Sequence, residues 1–243
     1  MKIIFSRKGF DSTAGGFPSP IIAGRPVSLP IPATDRSETT YAALGHGGTV
    51  EQTTRGKIGA NTLCHDDPLF ADGYCWFGQH GAAQGHLAKN DVTAGDVFLF
   101  FGLFAEPATG ERHHRIFGFM EIAAHGHPVA IGKAPQWRDP PRAHPHFIGQ
   151  WPASNSIYFG AGRTANSAPP SLRLTQPGGP LNLWTVPNWL RPFGLTYHTR
   201  PQRWIGRTQL DSAKRGQEFI CDVGKAEKPR AWLGRIIAEI DRQ

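Results

Sequence analysis

A glycine or a proline interrupts this chain about once in every five residues, with 29 glycines and 21 prolines among 243. Proline removes a helical donor and clashes with the preceding turn, and glycine adds backbone entropy that a helix must lose. Long helices are therefore disfavoured, and the expected fold is α+β, mainly β, with short strands and long ordered loops. Strands are expected over 2–6, 96–103, 115–122, 156–161, 172–175 and 218–223, each rich in β-branched or aromatic residues. A short helix is expected near 81–88 and another somewhere after Asp35. The clearest helix closes the sequence, where Pro229 suits a first turn and Trp232, Leu233, Ile236, Ile237 and Ile240 recur at helical spacing. The Pro/Gly-rich stretches 165–170 and 177–180 read as loops, because core-like segments resume on both sides. Residues 1–243 are accordingly expected to form a single domain.

The formal charge is +7, from 26 basic and 19 acidic residues. Such a surplus favours an anionic partner, through counterion release when the partner is a nucleic acid. No long Lys/Arg run is present. The charge is spread mostly as arginine among aromatic residues, as in Pro201-Gln202-Arg203-Trp204-Ile205-Gly206-Arg207, where guanidinium groups and rings can hold phosphates and stack bases. Cys64, Cys75 and Cys221 form no C-x-x-C pair, which argues against a disulfide framework or zinc knuckle and for a reducing, cytoplasmic setting. The start Met1-Lys2-Ile3-Ile4-Phe5-Ser6-Arg7 reads as a strand rather than a signal core, and no apolar run approaches membrane-spanning length, so no membrane partner is expected.

The densest polar motif is Cys75-Trp76-Phe77-Gly78-Gln79-His80-Gly81-Ala82-Ala83-Gln84-Gly85-His86-Leu87, followed by the apolar run from Gly95 to Gly102. Amides and imidazoles beside a core strand suit a pocket that reads the edge of a flat polar molecule, with Gln79, Gln84 and His86 as its lining. The same run also reads as a turn into a core strand. After the first strand comes Ser6-Arg7-Lys8-Gly9-Phe10-Asp11-Ser12, whose hydroxyls, cations and glycine at a strand end fit phosphate contact by Ser6, Arg7, Lys8 and Ser12. It is not a Walker A sequence, so a conventional nucleotide kinase finds no support. Asp11 reads as a general base or as the ion-pair partner of Arg7 or Lys8. Glu218 enters an apolar strand within Arg215-Gly216-Gln217-Glu218-Phe219; burial there requires a partner, for which Arg215 is the expectation. Arg215 and Gln217 join the nucleotide-binding candidates, and Glu218 joins the acid-base candidates.

His65, Asp66 and Asp67 nearly meet the H-x-D pattern of iron enzymes, with His144 or His146 available as a distal ligand should the chain bring them together. The spacing resembles no structural zinc site, so no metal is expected, and His65 and Asp67 are taken as candidates for proton transfer. The pairs His113-His114 and His125-x-His127 read as loop residues. A nucleophile-led mechanism finds no G-x-S-x-G elbow, and Cys64 points away from His65 in any regular element.

Two resemblances add to this reading. Gly95-Asp96 opening one apolar strand and Ile116-x-Gly118-x-x-Glu121-Ile122 closing the next resemble the central strands of PUA-like domains, including the EVE and ASCH branches. That resemblance implies a PUA-like barrel, or else a strongly curved mixed sheet, that binds modified or flipped-out bases. A broader one runs through Ser6 to Ser12, Pro18-Ser19-Pro20-Ile21, Leu29-Pro30-Ile31-Pro32, His65-Asp66-Asp67-Pro68 and Phe77-Gly78-Gln79. It continues through Gly81 to Leu87, Gly95 to Gly102, Trp184 with Pro187 and Trp189, Tyr197-His198, and Arg215 to Phe219. In that order these segments resemble the bacterial and phage family called nucleotide modification associated domain 3. The resemblance implies a role in DNA base hypermodification with DNA or a nucleotide as partner, alongside other DNA-modification enzymes; it names no cofactor and no oligomeric state. Two functions follow, a base-modifying enzyme using Asp11, His65, Asp67 or Glu218, or a non-catalytic reader of modified bases. Either one requires Gln79, Gln84 and His86 to converge with Ser6, Arg7 and Asp11 at the end of one sheet.

Overall fold

A computed structural model describes residues 1–214 and 216–242. From the N-terminus the chain forms β1 (Lys2–Arg7), β2 (Ser19–Ile22), β3 (Arg25–Pro26), β4 (Ile31–Pro32) and α1 (Gly47–Thr54). Next come β5 (Cys64–His65), β6 (Leu69–Ala71), β7 (Tyr74–Gln79), α2 (Gly81–Lys89), β8 (Val97–Ala105) and β9 (Arg112–Gly126). The remainder contains α3 (Pro128–Ile131), β10 (Ser156–Thr164), β11 (Leu183–Thr185), α4 (Leu190–Phe193), β12 (Trp204–Ile205), β13 (Gln209–Asp211), β14 (Glu218–Asp222) and α5 (Glu227–Asp241).

Nine strands make the main sheet, in the order β14-β1-β8-β9-β10-β7-β6, with β2 attached to β8 and β3 to β2. β1 pairs in parallel with β8, Ile3 opposite Val97, and antiparallel with β14, Ser6 opposite Glu218. β8 is apolar and buried on both faces, as a strand covered on both sides must be. Alternation on β1 divides the two cores: Ile3 and Phe5 join Leu99, Phe101, Trp184, Phe219 and the Leu233, Ile236 and Ile240 face of α5. Ile4 packs on the other side with Phe77, Phe98, Phe100, Met120, Tyr158 and Leu87. On the other face of α5 Arg235 is exposed and Glu239 half-buried, and Arg242, just past the helix end, is exposed.

The register slips between Phe100 and Phe101 and again between Phe159 and Gly160. A side chain at Gly160 would lie 1.8 Å from the Glu121 carbonyl oxygen, so only glycine permits the second irregularity. Bulges of this kind increase local twist. Gln79 at the end of β7 reaches Glu218 on β14 across four intervening strands, so the sheet is curved, yet among the described residues no pairing joins β14 to β6. It is an open, curved mixed sheet and not a closed barrel, which corrects the barrel expectation while bearing out the α+β, mainly β class.

Three further expectations change. Residues 172–175 form no strand: Pro170–Leu172 is a 3-10 turn, and Arg173 and Thr175 make only isolated bridges, because the Pro169-Pro170 pair fixes φ and supplies no donors. His113 and His114 lie on β9 and are buried rather than in a loop, since adjacent strand residues point to opposite faces and each ring finds a polar partner. His125 is likewise on β9, whereas His127 caps α3. The motif beginning at Cys75 contains a strand, β7, that runs to Gln79 before α2 begins.

Candidate functional site

The end of β1 carries the first wall of the site. Ser6 is fully buried and its hydroxyl has no partner among the described residues. The Arg7 guanidinium donates to the Ala213 and Lys214 carbonyl oxygens, both at 3.0 Å, and lies 5.6 Å from the Phe101 ring centre. Burial lowers its pKa, with Asp11 opposing. Lys8 Nζ sits 2.9 Å from Glu218 Oε1 and 4.3 Å from the centre of the Phe77 ring. Glu218 therefore has Lys8 as its cation; Arg215, its expected partner and a nucleotide-binding candidate, lies outside the described residues. Asp11 takes neither expected ion pair. One of its carboxylate oxygens accepts from the Thr13 N–H, the Thr13 hydroxyl and the Ala14 N–H at 2.7–2.8 Å, closing the turn after β1. Burial alone would raise the Asp11 pKa; these hydrogen bonds, with Arg7 nearby, outweigh it and lower the value.

The opposite wall is a carboxylate ringed by imidazoles. Asp67 follows β5 and fixes one oxygen, Oδ1, on the Gly78 N–H at 2.9 Å. Its other oxygen, Oδ2, lies 3.6 Å from His65 Nε2 and 3.7 Å from His146 Nε2, while His144 Nε2 stands 3.3 Å from Oδ1. His146 is held from behind: its Nδ1 donates to Asn155 Oδ1 at 2.6 Å, so Nε2 presents its lone pair towards Asp67. The ring also stacks on Trp151 at 4.2 Å and lies flat over Gly78, where any Cβ would meet it at 2.2 Å. Burial pushes the His146 pKa down to about 4. For Asp67 burial acts upward, but the facing His144, His65 and His146 rings outweigh it and hold the carboxyl well below the ordinary range. His65, Asp67 and His146 offer ligand atoms within 4.8 Å of one another, and they are the one group of metal-ligating type among the described residues. Asp66 turns away to pair with Arg142 at 2.5–2.6 Å, on a separate cavity of about 390 Å³.

Both walls face one cavity of about 810 Å³. It brings together Arg7, Lys8, Asp11, Ser12, His65, Asp67, Gln79 and Gln217 from the sequence candidates. Glu218 stands directly behind, buried against Lys8 and Gln79. Ser6 is buried in the strand and does not line the cavity. Gln84 and His86 do not reach it either, which corrects the expected triple. Helix α2 turns Gln84 and Leu87 into the core, where Gln84 accepts from the Tyr158 hydroxyl at 3.1 Å, and His86 contacts the Thr196 hydroxyl at 3.1 Å. Trp204, expected to offer a stacking ring, packs partly buried and donates to the His198 carbonyl.

Arg112, His114, Asn182 and Lys214 also line the cavity, and the motifs gave no sign of them. His114 is reached by strand alternation on β9; its Nδ1 accepts from Trp184 Nε1 at 3.0 Å, and burial, with Arg7 and His113 adding, lowers its pKa to about 3. Arg112 and Lys214 are exposed at the rim. No helix of the described residues is long and apolar enough to cross a membrane, and the three cysteines are free and buried. Residues 2–222 match the family model of nucleotide modification associated domain 3. No curated protein and no solved structure matches the chain.

Proposed function

Because the chain belongs to the nucleotide modification associated domain 3 family, we propose that its large cavity binds a nucleotide unit, free or within DNA, and modifies the base. The observation that carries this reading is the joint presence, on one concave surface, of an anion-holding rim and a convergent titratable cluster. Arg7, Arg112 and Lys214, none of them paired with a carboxylate among the described residues, supply positive charge for phosphate, and Asp67 with His65 and His146 supplies groups for chemistry. A cavity of about 810 Å³ lies within the usual range for small ligands and accommodates a base turned out of its stack.

The base edge falls to Gln217, Asn182 and His114. Gln79 is a wall residue, since its amide donates to Glu218 and accepts from the His80 N–H. A non-catalytic reader is the second reading; it needs amides and aromatic faces but no convergent acid-base groups. The Asp67 cluster therefore favours an enzyme. Nucleosides from cells expressing the wild-type chain, Asp67→Asn, or no chain at all, analysed by mass spectrometry, test the proposal. A modified nucleoside present only with the wild type supports it. Identical nucleoside pools in all three, with DNA binding retained by the purified protein, would leave the reader.

A further inference from the structure

We infer that His65, Asp67 and His146 form a binding site for a divalent first-row transition-metal ion, open to the cavity. The chain spacing shows only the His65-x-Asp67 half of it, because the third ligand comes from a 3-10 turn 79 residues beyond Asp67. Ligands about 2.0–2.1 Å from a tetrahedral metal lie about 3.4 Å apart. The observed separations to Asp67 Oδ2, 3.6 Å and 3.7 Å, need to close by only a few tenths of an ångström.

The groups behind the ligands are arranged as an outer shell. Gly78 N–H holds Asp67 Oδ1, leaving Oδ2 turned to the two imidazoles. Asn155 takes the Nδ1 proton of His146 and also donates to that residue's carbonyl at 2.9 Å, fixing both tautomer and ring. His144, fully buried, accepts the His146 N–H at Nδ1 and therefore carries its own proton on Nε2, facing Asp67 Oδ1 but making no hydrogen bond. That unpartnered donor is aimed at the same carboxylate. Two imidazoles and one carboxylate favour Fe²⁺, Co²⁺, Zn²⁺ or Mn²⁺ over the all-oxygen shells of Ca²⁺ and Mg²⁺. All three ligands line the cavity, so the remaining coordination positions face it, where water or a substrate oxygen can bind. The use of the ion rests on the base-modification reading; its binding does not.

The test is titration of the chelator-treated full chain with Co²⁺ alone, followed by visible absorption, with no nucleotide present. One equivalent bound with d–d bands of a low-symmetry site, displaced by Zn²⁺ and not by Mg²⁺, is expected. Asp67→Asn and His146→Ala should abolish the bands, Asn155→Ala should weaken binding by about 10- to 100-fold, and His125→Ala, at the exposed end of β9, should change nothing. Circular dichroism identifies any variant that fails to fold, in which case Asn155→Ala decides. Absence of saturable Co²⁺ binding by the wild type, or binding undiminished in the folded ligand variants, would overturn the site. Stoichiometric metal with no nucleoside change in cells would leave the site standing and remove the modification reading alone.

Discussion

Gln79 Nε2 donates to Glu218 Oε1 at 2.8 Å, joining residues 139 positions apart on strands that share no backbone pairing. In the sheet order, β1, β8, β9 and β10 separate β7 from β14, and only the curl brings their ends together. The same carboxylate oxygen receives Lys8, so one buried glutamate ties three segments at the cavity wall. The opening of the cavity is thus set by polar contacts at strand ends.

Replacing Lys8 by methionine should destabilise the protein by about 3–5 kcal/mol, because the Glu218 carboxyl group, 1 % exposed, then loses its cation and is left with only Gln79 as a partner. Lys8→Met combined with Glu218→Gln should recover part of that loss. Urea unfolding of the two singles and the double gives the coupling directly, and simple additivity would mean that the pair contributes nothing.

Arg112→Ala and Lys214→Ala remove exposed rim cations that structure little else. Each should weaken binding to all sequences alike and reduce the slope of log affinity against log salt by about 0.7 on single-stranded DNA, with the melting temperature unchanged. Fluorescence anisotropy at several salt concentrations is the measurement. An unaltered slope in both variants would place the nucleic acid elsewhere.

Acid should unfold the protein through two buried histidines. Neutral His114 accepts from Trp184, and neutral His198 accepts the Ala213 N–H at 2.9 Å. Burial depresses their folded pKa values to about 3 and about 4, below the model-peptide value of about 6.5. Between those limits the unfolded chain binds more protons, so stability is full above about pH 6.5 and falls as pH drops towards 4 and 3. Each histidine adds at most about 1.4 kcal/mol per pH unit to the slope. Denaturation midpoints measured from pH 7 to pH 4 should show this decline, shallower in His114→Gln.

Gly78→Ala tests the contact beneath the Asp67 cluster. A methyl group there meets the His146 ring at 2.2 Å, and the ring must leave its stack on Trp151. A cost of about 1–3 kcal/mol is expected from overpacking. Trp151 emission should change with it, whereas an unchanged spectrum would show that the ring has room to shift in place.

Much of the frame was legible because local chemistry and tertiary role agree. The apolar run of β8 and the Leu233, Ile236 and Ile240 spacing of α5 bury the faces their patterns announce. β7 was obscured because it is buried on nearly every residue and shows no period of two, and its Gly78 and Gln79 read as a turn. Gln84 and His86 looked equivalent to Gln79 in sequence, yet the helix beginning at Gly81 rotates them towards Tyr158 and Thr196. His114 needed a strand assignment that its polar neighbour His113 concealed. His65, Asp67 and His146 were visible as residues but not as a cluster, since their meeting depends on the loop from Pro145 docking against β7.

β1 lies between β8 and β14, and its final residues face β14 across nearly the full length of the chain. During synthesis β1 leaves the ribosome before either neighbour, and β14, which begins at Glu218, emerges long after it. Such non-local pairing slows folding. A nascent or prematurely terminated chain that stops before Glu218 therefore carries β1 and Lys8 without the strand that seats them, so a finished pocket is withheld from partial translation products.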